Sequence, residues 1–191
     1  MSDFVDYRLQ RGKRKTISLQ VDEGGVLVKA PYYAAVAQID AFVLEHRDWI
    51  KKQEKAAQER RLKTEALRRD GKLLTMEQIN ELADKALAYI PGRVAFFAEK
   101  IGVTYGRIAI RNQKSRWGSC SAKGNLNFNC LLMLAPPEVL DAVVVHELCH
   151  RRYMDHSGAF YDEILKVMPD YHKWDRWLKL HGDELMRRMT G

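Results

Sequence analysis

An apolar run, Val139, Leu140, Val143, Val144, Val145 and Leu148, encloses two histidines and a glutamate in the order His146-Glu147-Leu148-Cys149-His150. A segment this apolar belongs in a core, where three polar side chains are costly to bury unless each has a partner. Pro136-Pro137-Glu138 is good start chemistry for a helix, so the sequence predicts a buried helix from there onward. On a helix, residues four apart differ by about 40° in direction and about 6 Å in height, so His146 and His150 can close on one cation. Glu147 points about 100° away from His146. Its side chain still reaches a water on the open side of such an ion, where a carboxylate serves as proton acceptor and donor. The pattern arises by accident in a chain of this length about once in a hundred cases. These residues therefore predict a zinc hydrolase, with Zn2+ on His146 and His150 and Glu147 as base.

A catalytic zinc takes three protein ligands and leaves a position for water. His156 is the nearest third ligand, but on a continued helix it would lie about 240° around and about 9 Å further on. The helix must end first. Tyr153-Met154-Asp155-His156-Ser157-Gly158 allows this, with Asp155 in a turn and Ser157 at the start of a new helix through Phe160, Ile164, Leu165 and Met168. His172, His181 and Glu163 are the alternatives. For the oxyanion, Tyr153, Tyr161 and Arg116 are candidates.

The rest of the chain frames this helix. With 191 residues it can build one substantial core, or a core with a small lobe. We expect a lobe and basic helical linker over residues 1–72 and the catalytic domain over 73–191. Alternation at Val5, Tyr7 and Leu9, at Ile17, Leu19 and Val21, and at Val26 and Val28 predicts a small sheet turned by Asp22-Glu23-Gly24-Gly25. Helical spacing from Ala34 to about Lys55 predicts a helix packed on it, with His46 a packing or surface residue. Thr75-Met76-Glu77-Gln78 predicts a capped helix ending at Pro91-Gly92, followed by a second helical piece through Ile101. Residues 107–111 and 125–129 read as a hairpin leading into the metal helix. The Asn-rich strand 125–129 is the candidate edge for an extended peptide, against a plain alternative in which Asn127 and Asn129 face water. The last helix is predicted from Tyr171 to His181-Gly182.

Net charge of +7 and pI near 9.3 favour anionic partners, including a nucleotide or nucleic acid. Residues 51–72 carry nine Lys or Arg against four Asp or Glu, which reads as a solvated helix face without interleaved aromatics. Cys120, Cys130 and Cys149 fit neither a disulfide framework nor a paired metal spacing. No apolar run approaches membrane-spanning length, and Met1-Ser2-Asp3-Phe4-Val5-Asp6 lacks a signal-like stretch, so a cytoplasmic protein without a membrane partner is expected.

Arg116-Trp117-Gly118-Ser119-Cys120-Ser121, Gly124-Asn125-Leu126-Asn127, His146 to His150 and His156-Ser157 together resemble the YgjP-like metallopeptidase domain, a family grouped with SprT-like zinc proteases. Lys15-Thr16-Ile17, Ala30-Pro31, Asp48-Trp49-Ile50 and Pro169-Asp170-Tyr171 extend the resemblance over most of the chain. It implies an α+β fold: a zincin-like metallopeptidase domain with an active-site helix, preceded by a small N-terminal β-sheet and helix lobe. It also implies zinc ligation by His146, His150 and His156, with Glu147 as catalytic base. The histidine spacing is that of metzincins too, but Tyr153 stands where their pattern has glycine. The expected activity is a zinc-dependent metallopeptidase acting on a peptide or protein. One alternative is a metal-dependent nucleoside triphosphate pyrophosphohydrolase, and another a basic nucleic-acid-binding module with structural zinc. The SprT-like likeness raises proteolysis associated with DNA.

Overall fold

The computed structural model describes residues 5–22 and 24–189. Met1 to Phe4, on which the reading of the amino terminus rests in part, and Glu23 of the expected turn lie outside the described residues. The chain divides into two compact units, Met1–Gly71 and Lys72–Gly191. Among the described residues, no helix is long and apolar enough to cross a membrane.

In the first unit, β1 (Arg8–Gly12), β2 (Ser18–Asp22) and β3 (Gly25–Pro31) form a sheet of order β1-β3-β2, with β1 parallel and β2 antiparallel to β3. The period of two in β3 buries Val26, Val28 and Ala30, which share a core with Ile39, Val43 and Ile50 of the following helices. The helix expected from Ala34 to Lys55 is two helices, α1 (Val36–Glu45) and α2 (Arg47–Arg69). His46 interrupts them at φ −98° and ψ 13°, its Nδ1 2.9 Å from the Phe42 carbonyl and its ring against Phe42. A side chain that meets the backbone one turn back offers an alternative to the helical pattern, which periodicity does not register.

The second unit begins with α3 (Met76–Ile101), opened by a capping box in which the Thr75 side chain accepts from the Gln78 amide. The expected break at Pro91 is absent. Proline costs a helix interior about 3 kcal/mol. Ile79, Leu82, Ala86, Ile90, Val94 and Phe97 are all buried along α3, and each large apolar side chain returns roughly 1.5–3 kcal/mol. The helix ends at Gly102, which is left-handed with φ 71°.

Next come β4 (Ile108–Arg111), β5 (Gly118–Cys120) and β6 (Leu126–Asn129), in sheet order β4-β6-β5. The pair expected as a hairpin, β4 and β6, is parallel, and the hairpin is β5 with β6, Gly118 opposite Phe128. Three residues of β5 are too short to show a period, so the intervening strand was invisible in the sequence. A 3-10 turn (Cys130–Leu134) leads into α4 (Pro137–Cys149), followed by α5 (Gly158–Val167) and α6 (Tyr171–Arg187). This is an α+β fold, and α4 is its centre, packed against α3, α5, α6 and β5. Nine of its thirteen residues are buried, which explains why it is apolar around nearly its whole circumference. Arg93 of α3 grips Asp141 of α4 with two hydrogen bonds of 2.7 Å.

α6 does not stop at Gly182. The glycine is buried inside the helix, and a Cβ there would lie 3.0 Å from Trp117 Nε1. It provides room for an indole rather than a helix end.

Candidate metal centre

His146 lies on α4 and His150 is its C-cap, so one turn of a buried helix fixes both. The chain then turns through residues 151–157 and re-enters α5 with Ser157 at the N-cap position. The Ser157 hydroxyl makes no cap; instead its amide donates to Asp155 Oδ1 at 3.3 Å. That turn carries His156 back over α4. His146 Nε2 stands 3.2 Å from His150 Nε2 and 3.2 Å from His156 Nε2, and the three ligand atoms all lie within 4.8 Å of one another. Adjacent nitrogens of a tetrahedral zinc site, with bonds of about 2.0–2.1 Å, are about 3.3–3.4 Å apart. The triad fits a small divalent ion.

The remaining ring nitrogens explain how the rings are aimed. His150 Nδ1 is 3.0 Å from the Tyr153 carbonyl, which only accepts, so Nδ1 carries the proton and a neutral His150 presents a lone pair at Nε2. His146 Nδ1 is 2.9 Å from the Tyr171 hydroxyl at the start of α6. Phe160 of α5 lies within 5.0 Å, centroid to centroid, of all three imidazoles. Burial, followed by the neighbouring imidazoles, pushes His146 down to about 4, and burial also lowers His150. Both rings are thus neutral at ordinary pH, the form in which an imidazole nitrogen can meet a cation.

Glu147 is 6% exposed and faces β5. Burial pushes its carboxyl up to about 7, the range in which a group both takes and returns a proton. Its side chain lies over Gly118, where a Cβ would come within 2.6 Å of Oε1. Together His146, Glu147 and Gly118 floor a cleft of about 210 Å³. Its walls are Trp117 of β5's approach, Val139 and Val143 of α4, and Trp174 and Leu178 of α6, with Arg116 and Asp175 as polar lining.

Several expectations resolve differently. Of the oxyanion candidates, Arg116 lines the cleft whereas Tyr153 and Tyr161 do not. Tyr171, expected only as the start of the last helix, both lines the cleft and meets His146. Glu163 is buried but engaged by Arg152 at 2.6 Å and Lys166 at 3.1 Å, and His172 and His181 lie against Tyr161 and Trp177. Among the described residues, the triad His146, His150 and His156 is the group that could hold a metal. Cys130 and Cys149 are buried and Cys120 half-buried, all as free thiols whose pKa burial raises.

The Asn-rich strand does not offer an edge, because β6 lies between β4 and β5. The free edge nearest the cleft belongs to β5. Asn129 does not face water: it is 1% exposed and donates to the carbonyls of Gln113 and Arg116, while Asn127 is half-buried and donates to Ser119 Oγ. Asn129 therefore fixes the loop that delivers Arg116 and Trp117 to the cleft, a role hidden from a strand's alternation.

The sequence profile of the YgjP-like, metallopeptidase domain family matches residues 15–79 and 75–181. The UTP pyrophosphatase of Escherichia coli (strain K12) is 29% identical over 85 residues, 44% of this chain and 51% of that protein. The chain thus matches about half the length of this curated relative. Among solved structures, the metallopeptidase zymogen abylysin of Pyrococcus abyssi is similar with a TM-score of 0.44 and 21% identity, covering 48% of this chain and 93% of that one. For the zymogen jannalysin of Methanocaldococcus jannaschii the values are 0.43, 18%, 48% and 94%.

Proposed function

Because this chain belongs to the YgjP-like metallopeptidase domain family, we propose that it is a zinc metallopeptidase, its ion held by His146, His150 and His156. The observation that carries the reading is the convergence of three imidazole nitrogens beside a buried carboxylate at the floor of an apolar cleft. When bound, zinc supplies Lewis acidity that polarises a carbonyl and brings a water's pKa toward neutrality. Glu147 accepts the proton of the attacking water and passes it to the leaving amine, for which a pKa near 7 is suited. The Arg116 guanidinium, at the cleft wall, is the donor available to a developing oxyanion. A substrate strand paired with the β5 edge would bring a peptide across Gly118, and the walls of Trp117, Val143 and Leu178 would take an apolar side chain.

The name of the E. coli relative favours a second reading, a metal-dependent nucleoside triphosphate pyrophosphohydrolase. The cleft lining weighs against it, since a triphosphate needs several cations and Arg116 is opposed there by Asp175 and Glu147. The deciding experiment is a screen of peptides and nucleoside triphosphates with zinc-loaded wild type and Glu147→Gln. Peptide cleavage lost in Glu147→Gln with zinc retained supports the proposal; pyrophosphate release with the same dependence replaces it by the second reading. Activity that survives in Glu147→Gln sinks both.

A further inference from the structure

From Tyr7 to Val21 the chain has five Lys or Arg and no Asp or Glu, and the first unit folds these residues around a pocket. The pocket, of about 280 Å³, is lined by Gln10, Arg11, Gly12, Lys13, Arg14 and Lys29, four of them cationic and none acidic. The backbone beside it is rigidly set. Arg11 Nη1 donates to the carbonyls of Pro31, Tyr32 and Ala34 at 3.1, 3.1 and 2.7 Å, tying the end of β1 to the turn after β3. Arg14 donates through Nη2 to Ser18 Oγ at 2.9 Å, while its Nε is a buried donor without a partner. Among the described residues, Lys29 bonds the neutral Gln20 side chain and no carboxylate.

Two aromatic rings flank this basic loop. Tyr32 is 67% and Tyr33 78% exposed, unusual for large aromatic side chains, and Tyr33's hydroxyl donates to the Lys15 carbonyl at 3.3 Å. The same turn that Arg11 clamps thus presents tyrosine rings next to these cations. A positively charged groove with neighbouring exposed aromatics is what a single-stranded nucleic acid requires: cations track the phosphates and rings stack the unpaired bases. An acidic peptide would use the charge but leave the rings idle.

The geometry points to a single-stranded nucleic-acid-binding surface on the first unit, with Lys13, Arg14 and Lys29 on the phosphates and Tyr32 and Tyr33 stacking bases. It is independent of the hydrolase reading.

The test is fluorescence anisotropy of a labelled oligo-dT with the full chain across a salt series. Three phosphate contacts predict a log–log salt slope of about −2 for a single strand. Lys13→Gln/Lys29→Gln should flatten the slope by about 1.4. Tyr32→Ala/Tyr33→Ala should weaken binding about fivefold or more with the slope unchanged. Lys13, Tyr32 and Tyr33 are exposed and Lys29 is half-buried, and matching melting temperatures will show that the variants are folded. Absence of binding at low salt overturns the proposal, as does binding that neither double variant changes. Duplex of equal length bound as tightly as the single strand overturns it too, and so does equal displacement by polyglutamate or inorganic tripolyphosphate.

Discussion

Gly118 supports Glu147 by having no side chain: a Cβ at Gly118 would lie 2.6 Å from Glu147 Oε1 and 2.8 Å from its Cγ. Either the carboxylate or β5 must move to admit a methyl group. A displacement near 1 Å at a reacting group costs up to about a hundredfold in rate. Gly118→Ala is therefore expected to keep the zinc stoichiometry, lose about 10- to 100-fold in kcat/KM and melt lower, by roughly 1–3 kcal/mol of overpacking. Gly92→Ala is the control, since nothing lies within 4 Å of its added Cβ and a helical Gly to Ala change stabilises by about 1 kcal/mol. Equal kinetics in Gly118→Ala and wild type would refute the packing argument.

That relationship marks where sequence reading stops. Helix α4, its two histidines and its glutamate were legible, because a pentapeptide spacing and an apolar surround are local properties. The return of His156 to His146 was also foreseeable, since a continued helix would carry it away from the other two rings and the chain offers a turn in time. Gly118, Gly182, Tyr171 and Asn129 act across long separations in the chain, where no period or motif links the partners. Gly182 even imitated a stop signal. The parallel pairing of β4 with β6 was hidden for a related reason: strand signals give existence, while pairing depends on the three-residue β5.

Tyr171 holds His146 through a 2.9 Å contact to Nδ1, and such partners of metal-bound histidines typically carry 10- to 100-fold in affinity. Tyr171→Phe removes only the hydroxyl from a position that is 4% exposed, so the fold should survive. Zinc affinity, measured by competition with a chromophoric chelator, is expected to fall about 10- to 100-fold. An unchanged affinity would mean that Phe160 and the helix alone aim the ring.

The buried Glu147 should make the metal-free protein sensitive to pH. Its folded pKa, about 7, is above the ordinary 4.5, so between these values the native state holds more of this proton than the unfolded chain. The stabilisation is complete below the unfolded value and is lost as pH rises through 7. His146 acts oppositely: depressed to about 4, it lowers stability as pH falls below 6.5. Comparing metal-free wild type with Glu147→Gln cancels the histidine contribution, which both share. The variant's advantage in melting temperature is expected to grow from pH 5 to 8 and then level off. A difference that is flat across this range would show that Glu147 is solvated.

Removal of the ion tests whether the triad is also a structural clasp. His156 is exposed and meets α4 through His146 and His150, which themselves ride on a buried helix. A ligand that binds only the native state stabilises it by RT ln(1 + [L]/Kd), about 4 kcal/mol at a thousandfold excess over Kd. Chelation should then lower the melting temperature by several degrees, and His156→Ala should remove most of that zinc-dependent shift while leaving the metal-free melting temperature close to wild type. Hydrogen exchange should rise in residues 151–157 on chelation but not in 139–149. Equal loosening of both segments would contradict a preformed α4.

Asn129 offers the sharpest separation between building the cleft and performing chemistry. Its Nδ2 donates to the carbonyls of Gln113 at 2.7 Å and Arg116 at 3.0 Å, and its Oδ1 accepts from the Leu131 amide at 3.1 Å. In Asn129→Asp the accepting oxygen remains, but the two donor bonds become contacts between a carboxylate and carbonyl oxygens in a site that is 1% exposed. The cost is roughly 3 kcal/mol or more, from two lost bonds and an uncompensated buried charge. Asn129→Ala, which leaves the carbonyls free to find water, should cost less, about 1–3 kcal/mol. In either variant the loop carrying Arg116 and Trp117 loosens while the histidines keep their places. Zinc stoichiometry should therefore stay at wild type as KM rises, and the Trp117 indole should become more accessible to acrylamide quenching. Loss of zinc in these variants would instead tie the loop to the metal site, against the separation of wall and floor seen between β6 and α4.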